Sequence, residues 1–218
     1  MSAKAKSSNN KPSPSSSSSS SSSSKKTVSR SRAATLVSPW VAILLAAALV
    51  GVAVQTHGQL GVELAGPRHA LKRFHSFAEF FPYYVDEHAQ AMTKLLHAVG
   101  TSIVVLFAVT VQPYLVFTTA TAVSVGFILA EALAGLAGGL VEGGVMALLF
   151  LGLNRAVLGR TFYELLVIAY GFAWAAHFFV EHNKPATFLF PSYSFAGDFY
   201  MLFQLALQRI PLDGTGAN

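Results

Sequence analysis

Residues 171–199 read GFAWAAHFFVEHNKPATFLFPSYSFAGDF. The run begins as an apolar helix of membrane character, carries His177 and Glu181 near its end, and is stopped by Asn183-Lys184-Pro185. Ionisable side chains at the end of a membrane helix cost free energy, which makes them functional candidates by default. His177 and Glu181 stand four residues apart and share one helix face. A ring nitrogen and a carboxylate presented together suit a metal site or a proton-transfer site.

The rest of the chain fits a membrane setting. Its 218 residues are 53% hydrophobic and only 11% charged, with a mean hydropathy of +0.50, against about a quarter charged in soluble domains. The net charge of +5 does not mark a nucleic-acid face, because it belongs to a tail. Seven of the fifteen Lys and Arg precede residue 33, and no acidic residue comes before Glu63. The absence of cysteine excludes disulfides, thiolate ligands and Cys nucleophiles, so any metal must be held by His, carboxylate or carbonyl groups.

Towards the N-terminus, residues 1–35 are Ser-rich and basic, with an unbroken serine run from Ser15 to Ser24. This composition predicts disorder, either as a solvated tail or as a targeting segment of transit-peptide type. Residues 36–56 contain the apolar run Val37–Val54, which suits a signal anchor, a signal-like apolar region or an extra transmembrane helix. Residues 57–75 read as a polar linker in which His57 and His69 are solvated. Residues 76–209 form the predicted membrane-embedded domain, and 210–218 a tail.

That domain opens on Ser76-Phe77-Ala78-Glu79, a capping-box pattern. The aromatic, amphipathic segment it starts is predicted to lie at the membrane interface. Four apolar segments follow, near His97–Gln112, Tyr114–Leu133, Gly138–Leu153 and Phe162–Val180. The fold class is therefore all-α: a membrane helical bundle with about four core transmembrane helices plus interfacial helices. Gly138, Gly139, Gly143 and Gly144 are expected to let helices approach closely. Glu131 and Glu142, near segment ends, are expected to face a loop or a polar cavity. A last amphipathic piece, Phe199–Leu207, is too short to cross.

His88 and His97 flank the entry to the first core segment, and His177 and Glu181 lie at the exit of the fourth. An even number of crossings separates them, so both groups fall on one side of the membrane and can meet. One constraint opposes a shared site. Nine residues of continuous helix turn through about 900°, which leaves His88 and His97 on opposite faces. They can share a metal only if the helix breaks between them, and residues 89–93 contain no strong breaker. Three histidines and a glutamate suit iron(II), zinc or manganese, and two histidines with one carboxylate is the set of non-haem iron oxygenases. Zinc would serve hydrolysis. Structural, hydrogen-bonded histidines are the plain alternative. His182 points about 140° away from His177 on a regular helix, and His75 precedes the capping pattern. No G-x-S-x-G, Walker A or dinucleotide-binding pattern is present.

Tyr84-x-x-x-His88, His97-x-x-Gly100-Thr101 and the long 171–199 run together resemble one family. It is the small membrane family of the yeast endoplasmic-reticulum 2-hydroxy fatty acid dioxygenase, which acts in phytosphingosine breakdown. The resemblance covers roughly residues 73–205 and is similar to the family's short branch with the HFF-x-E-x-N-x-PATF signature. It implies an Fe(II)-dependent α-oxidation in which dioxygen and a 2-hydroxy fatty acid give a fatty acid one carbon shorter. It implies His88, His97 and His177 as iron ligands, with Glu181 as a catalytic residue, either a fourth ligand or a support for His177. Lys184 or Lys94 is expected to pair with the substrate carboxylate. His182 departs from the family pattern and takes no role. Membrane lipid is the expected partner and nucleic acid is not.

The resemblance places the chain in the endoplasmic reticulum, or in a plastid or mitochondrial membrane if the N-terminus is a transit peptide. The basic residues of the core, Arg68, Lys72, Arg73, Lys94, Lys184 and Arg209 against Arg155 and Arg160, place the site on the cytosolic side. A cytosolic tail followed by one crossing at 37–54 places it on the other. A non-catalytic lipid-binding or scaffold protein and a zinc-dependent lipid hydrolase are the alternatives.

Overall fold

Backbone groups in hydrocarbon must be satisfied within their own segment, so long apolar runs fold as helices. The computed structural model describes residues 38–56 and 66–214, which contain seven α-helices and no strand. These are α1 (Pro39–Thr56), α2 (Phe77–Asp86), α3 (Ala91–Thr110), α4 (Tyr114–Ala132), α5 (Leu140–Leu158), α6 (Tyr163–Ala176) and α7 (Pro191–Ala206). A π turn, His177–Glu181, extends α6, and a short 3-10 turn, Ala186–Phe188, precedes α7. The expectations for the Ser-rich tail, for His57 and for the last four residues fall outside the described residues.

Five helices are long and apolar enough to cross a membrane: α1, α3, α4, α5, and α6 with its π turn. The four core segments expected from the sequence are all present. The first begins earlier than expected, at Ala91 rather than His97, and α7 begins at Pro191 rather than Phe199. Pro191 occupies the first turn of α7, where its missing N–H is no loss. Large apolar side chains such as Leu44, Leu148, Val167 and Phe179 remain exposed, as lipid-facing positions do.

Three pairings organise the bundle: α1 on α4, α4 on α5, and α3 on α6. The last brings the first and fourth core helices together. Gly100 permits it, because a Cβ there would lie 2.9 Å from the Cβ of Phe172. Between α4 and α5, Thr118 donates to Asn154 Oδ1 at 2.5 Å, a polar tie inside an apolar interface. The glycines of the third segment divide. Gly139 and Gly143 face Pro191 of α7, whereas Gly144 meets nothing.

The aromatic segment packs one face into the bundle. Phe80 and Tyr84 are fully buried and join Phe127, Phe190, Tyr193 and Met201 in one core cluster. Its capping pattern forms in part. Ser76 Oγ accepts from Glu79 N at 3.2 Å, but Glu79 Oε2 accepts from His75 N rather than from the cap residue itself. His75 is exposed.

Candidate metal centre

His88 lies in the turn between α2 and α3, His97 on the second turn of α3, and His177 at the start of the π turn. All three are buried, and one ligand nitrogen from each lies within 4.8 Å of the other two. Ring centroids are 4.4 Å apart for His88–His97, 4.6 Å for His88–His177 and 5.2 Å for His97–His177.

The hydrogen bonds fix which nitrogen each ring presents. His88 Nδ1 lies 2.6 Å from the Tyr84 carbonyl, which only accepts, so Nδ1 carries the proton. His97 Nδ1 lies 2.5 Å from Asp198 Oδ1. Tyr84 Oη donates to that same oxygen at 2.6 Å. His177 Nδ1 lies 2.7 Å from Asn183 Oδ1. The Asn183 amide is oriented in turn, because its Nδ2 donates to the Glu87 carbonyl at 2.9 Å and to Glu87 Oε2 at 2.8 Å. Each ring therefore donates outward through Nδ1 and keeps an Nε2 lone pair. The Nε2 atoms of His88 and His97 are buried without any partner. Buried polar atoms are rarely left so, and an absent ion is one of the standard explanations.

Three buried rings, each held through its far nitrogen, make a donor set that could hold a metal ion, with outer supports on every ring. The nitrogens lie within 4.8 Å of one another, wider than the roughly 3–3.5 Å kept by nitrogens bound about 2.0–2.1 Å from one ion, so ligation would draw the rings together. Burial first, then the neighbouring His97 and His177, hold the His88 ring's pKa well below the usual histidine range. Burial first, then the Asp198 charge, keeps the Tyr84 hydroxyl protonated. A small cavity opens beside the cluster, edged by His97, His177, Tyr84, Tyr170, Thr101 and Asp198.

The helix does break between His88 and His97, and the break has long-range causes. α2 ends after Asp86 and α3 starts at Ala91. Glu181 Oε1 accepts from the Gln90 backbone N–H at 2.7 Å, and the Gln90 side chain donates to the Val180 carbonyl at 2.7 Å. Asn183 holds the Glu87 carbonyl, and Gly214 N donates to the Ala89 carbonyl at 2.9 Å. Groups that a continuous helix would pair internally are thus met from the chain's far end.

The other expected site residues stand elsewhere. Glu181 accepts from Gln90 at the start of α3 and is not among the residues that form the ligand cluster, and it is Asn183 that accepts from His177 Nδ1. The π turn accounts for this change from regular helix geometry. His182 adopts a left-handed φ of 57° at its end, and both His182 N and Asn183 N bond back to the His177 carbonyl. That closure folds Asn183 over the His177 ring. Lys94 is buried, with Nζ donating to the carbonyls of Pro211 and Gly214, and does not line the cavity. Lys184 is exposed. Asp198, which bonds both His97 and Tyr84, is the residue of the cluster that the sequence reading missed. A lone carboxylate in an aromatic stretch is the signal that marks it, by the rule that singles out His177.

The fold and site define a helical membrane protein with a buried tri-histidine centre. The chain belongs to the Mpo1-like family, described as 2-hydroxy-palmitic acid dioxygenase Mpo1-like, which matches residues 74–210. No curated protein and no solved structure matches the chain.

Proposed function

We propose that the protein is an Fe(II)-dependent dioxygenase that shortens 2-hydroxy fatty acids by one carbon, with His88, His97 and His177 holding the metal. The observation that carries the metal half of this reading is the set of outward-donating Nδ1 atoms with the His88 and His97 Nε2 atoms left unpartnered. The family description supports the substrate half. When bound, the iron would supply an open coordination site for dioxygen and for the substrate's oxygens.

The chemistry balances without a further reductant. A 2-hydroxy acid and dioxygen give the shorter acid, carbon dioxide and water. The bond between C1 and C2 breaks, and the four electrons that dioxygen takes come from those two carbons. The chain's own part is positional. The Tyr84 carbonyl, Asp198 and Asn183 fix the three ring orientations, and Glu181 holds the helix break that lets His88 face His97. The apolar side chains around the cavity, Val104, Leu166 and Phe199 among them, limit water beside the cluster. With Lys94 engaged by the C-terminal segment, Lys184 is the exposed cation of the two named for the substrate carboxylate.

The all-histidine donor set favours one second reading, a zinc hydrolase, because three histidines and an open position also make a catalytic zinc site. Metal analysis of the purified protein, paired with oxygen consumption on 2-hydroxy fatty acids, separates the two. Bound iron with oxygen uptake and release of the shortened acid is expected. Stoichiometric zinc, or no oxygen uptake across a range of chain lengths with iron(II) supplied, removes the dioxygenase reading.

A further inference from the structure

A second, larger cavity adjoins the histidine chamber. It is a groove of about 540 Å³ between α1, α3, α4 and α7. No charged side chain lines it, and Thr119 and Tyr200 are its main polar contributors. Three residues, Val104, Phe195 and Phe199, line both this groove and the small cavity that His97 and His177 edge. The two spaces are therefore neighbours sharing one wall, polar at the histidines and apolar beyond.

The groove runs away from the site along α3. His97 edges the small cavity, Val104 belongs to both, and Val109 lines only the groove. From residue 97 to 109 the helix rises about 18 Å, the length scale of a long alkyl chain. The opposite wall is α1, through Ile43, Ala46, Ala47 and Val50. Ala53 joins the aromatic cluster at the site end of the bundle, so Val50 lies nearer the histidines and Ile43 deeper. α1 ends at Thr56, well before the family match begins at residue 74.

We propose that this groove holds the alkyl chain of the substrate, with its hydroxy-acid end at the histidines, and that α1 is the wall that sets chain length. The proposal rests on the substrate class given under the proposed function. A volume of about 540 Å³ is in the range of pockets that bury a ligand of this size. The physical origin of selectivity follows from the setting. An alkyl chain leaving lipid for a groove gains no hydrophobic transfer energy, since both surroundings are apolar. What remains is fit: an overlong chain meets the deep end, and a bulky side chain on α1 shortens the space. Ala47 lines the groove midway and is exposed on its own helix, so enlarging it fills the groove with little disturbance to the tight Ala42 and Ala46 contacts with the bundle.

The test uses the full chain in phospholipid nanodiscs and a long-chain 2-hydroxy fatty acid carrying a diazirine at its methyl end. On irradiation, label is expected on α1, α3 and α4 residues of the groove, competed by unlabelled 2-hydroxy fatty acid and not by added phospholipid. Ala47→Phe is expected to cut that labelling and to shift turnover towards shorter chains by about tenfold, with an unchanged melting curve. Ile43→Ala is expected to keep the labelling and extend acceptance to longer chains. Label confined to outward residues such as Leu44 or Leu148 overturns the proposal. So does label competed only by phospholipid, which makes the groove a bulk-lipid cleft. Specific groove labelling without turnover of any chain length leaves the groove standing and removes the dioxygenase reading. Turnover without groove labelling does the reverse.

Discussion

The histidine cluster and the Lys72–Glu142 pair lie at the same end of the bundle and are equally dry. His88, His97 and His177 are 0%, 4% and 2% exposed, and Lys72 and Glu142 are 2% and 1%, so burial alone does not tell them apart. Their partners do. Lys72 Nζ donates to the Leu189 carbonyl, lies over the Phe190 ring and sits 3.6 Å from Glu142 Oε2. That separation is an ion pair by charge but too long for a hydrogen bond, which is why Glu142 Oε2 counts as unbonded while Glu142 Oε1 takes Ser192 N at 2.9 Å. Every charge there faces an opposite charge or a dipole. In the histidine cluster three acceptors face one another with no donor among them. The first arrangement fastens the 66–75 segment to α5 and α7, helped by Arg68 on Glu131 at 2.5 Å. The second is an acceptor set that a cation would satisfy.

The largest expected effect breaks the cluster. His177→Ala removes one of three donors and should abolish stoichiometric metal in the purified protein, a loss beyond the roughly 100-fold that outer supports command. The stability of the metal-free protein should fall by about 1–3 kcal/mol at most, the cost of leaving Asn183 Oδ1 without its partner. Metal retained at wild-type level in this variant would remove the site. The counterpart is Glu142→Leu, which strands the buried Lys72 ammonium. It should cost about 3–5 kcal/mol of stability in a denaturation series in detergent. The double change Lys72→Met with Glu142→Leu should recover most of that, as matched apolar replacements of buried pairs do. A Glu142→Leu protein that binds no metal while remaining folded would join the two clusters into one functional unit.

Much of this end of the molecule is legible in the sequence, for a reason that particular residues show. His88, His97 and His177 are readable together because four crossings return the chain to the same side, a matter of counting apolar runs. Glu131 and Glu142 are readable as polar contacts at segment ends, and they do meet Arg68 and Lys72. Lys72 itself is not, since a linker lysine gives no sign that a later loop will cover it. The break between His88 and His97 is equally hidden. Residues 87–90 read Glu-His-Ala-Gln, with neither glycine nor proline. What ends the helix is Glu181, Asn183 and Gly214, roughly a hundred residues away in sequence, so no local rule finds it. The π turn is hidden for a related reason: its geometry depends on a left-handed His182, a conformation uncommon outside glycine although histidine is among the residues that adopt it most.

Changes to the outer supports come next in size. Asn183→Ala leaves the His177 Nδ1 proton without its acceptor and frees the Glu87 turn. It should weaken metal binding by about 10–100-fold, measured by chelator competition. Asp198→Asn should fall in the same range, because the shared oxygen then loses the charge that both His97 and Tyr84 address. An Asn183→Ala protein with unchanged affinity would separate the π turn from the site.

Acid acts on the same comparison. Burial and the adjacent rings keep His88 neutral below the usual histidine range, whereas an unfolded histidine takes its proton near about 6.5. Below that value the unfolded state binds more protons than the folded one. Stability therefore rises with pH in this window and is lost as pH falls from about 6.5 towards the depressed folded value. Protons compete with metal in the same direction. Metal retention and melting temperature should fall together on acidification, the stability change at up to about 1.4 kcal/mol per pH unit for one proton. A melting temperature flat between neutral pH and mild acid would show that the buried rings do not resist protonation.

The smallest effect distinguishes most sharply between two roles for one residue. Glu181 stands in the sequence pattern where a catalytic carboxylate is expected, yet its oxygens address Gln90 at the start of α3. A metal ligand or proton carrier needs the negative charge. A helix cap needs an acceptor oxygen, which glutamine also supplies. Glu181→Gln should therefore leave metal affinity and turnover within about threefold of wild type, with only the charge–dipole part of the cap lost, about 0.3–1 kcal/mol. Glu181→Ala should cost about 1 kcal/mol, the usual value of an N-terminal cap, and should loosen metal binding modestly through the His88 turn. If Glu181→Gln instead abolishes turnover while its metal content and melting curve stay at wild type, Glu181 acts chemically, and the turn must move to bring it to the histidines during the reaction.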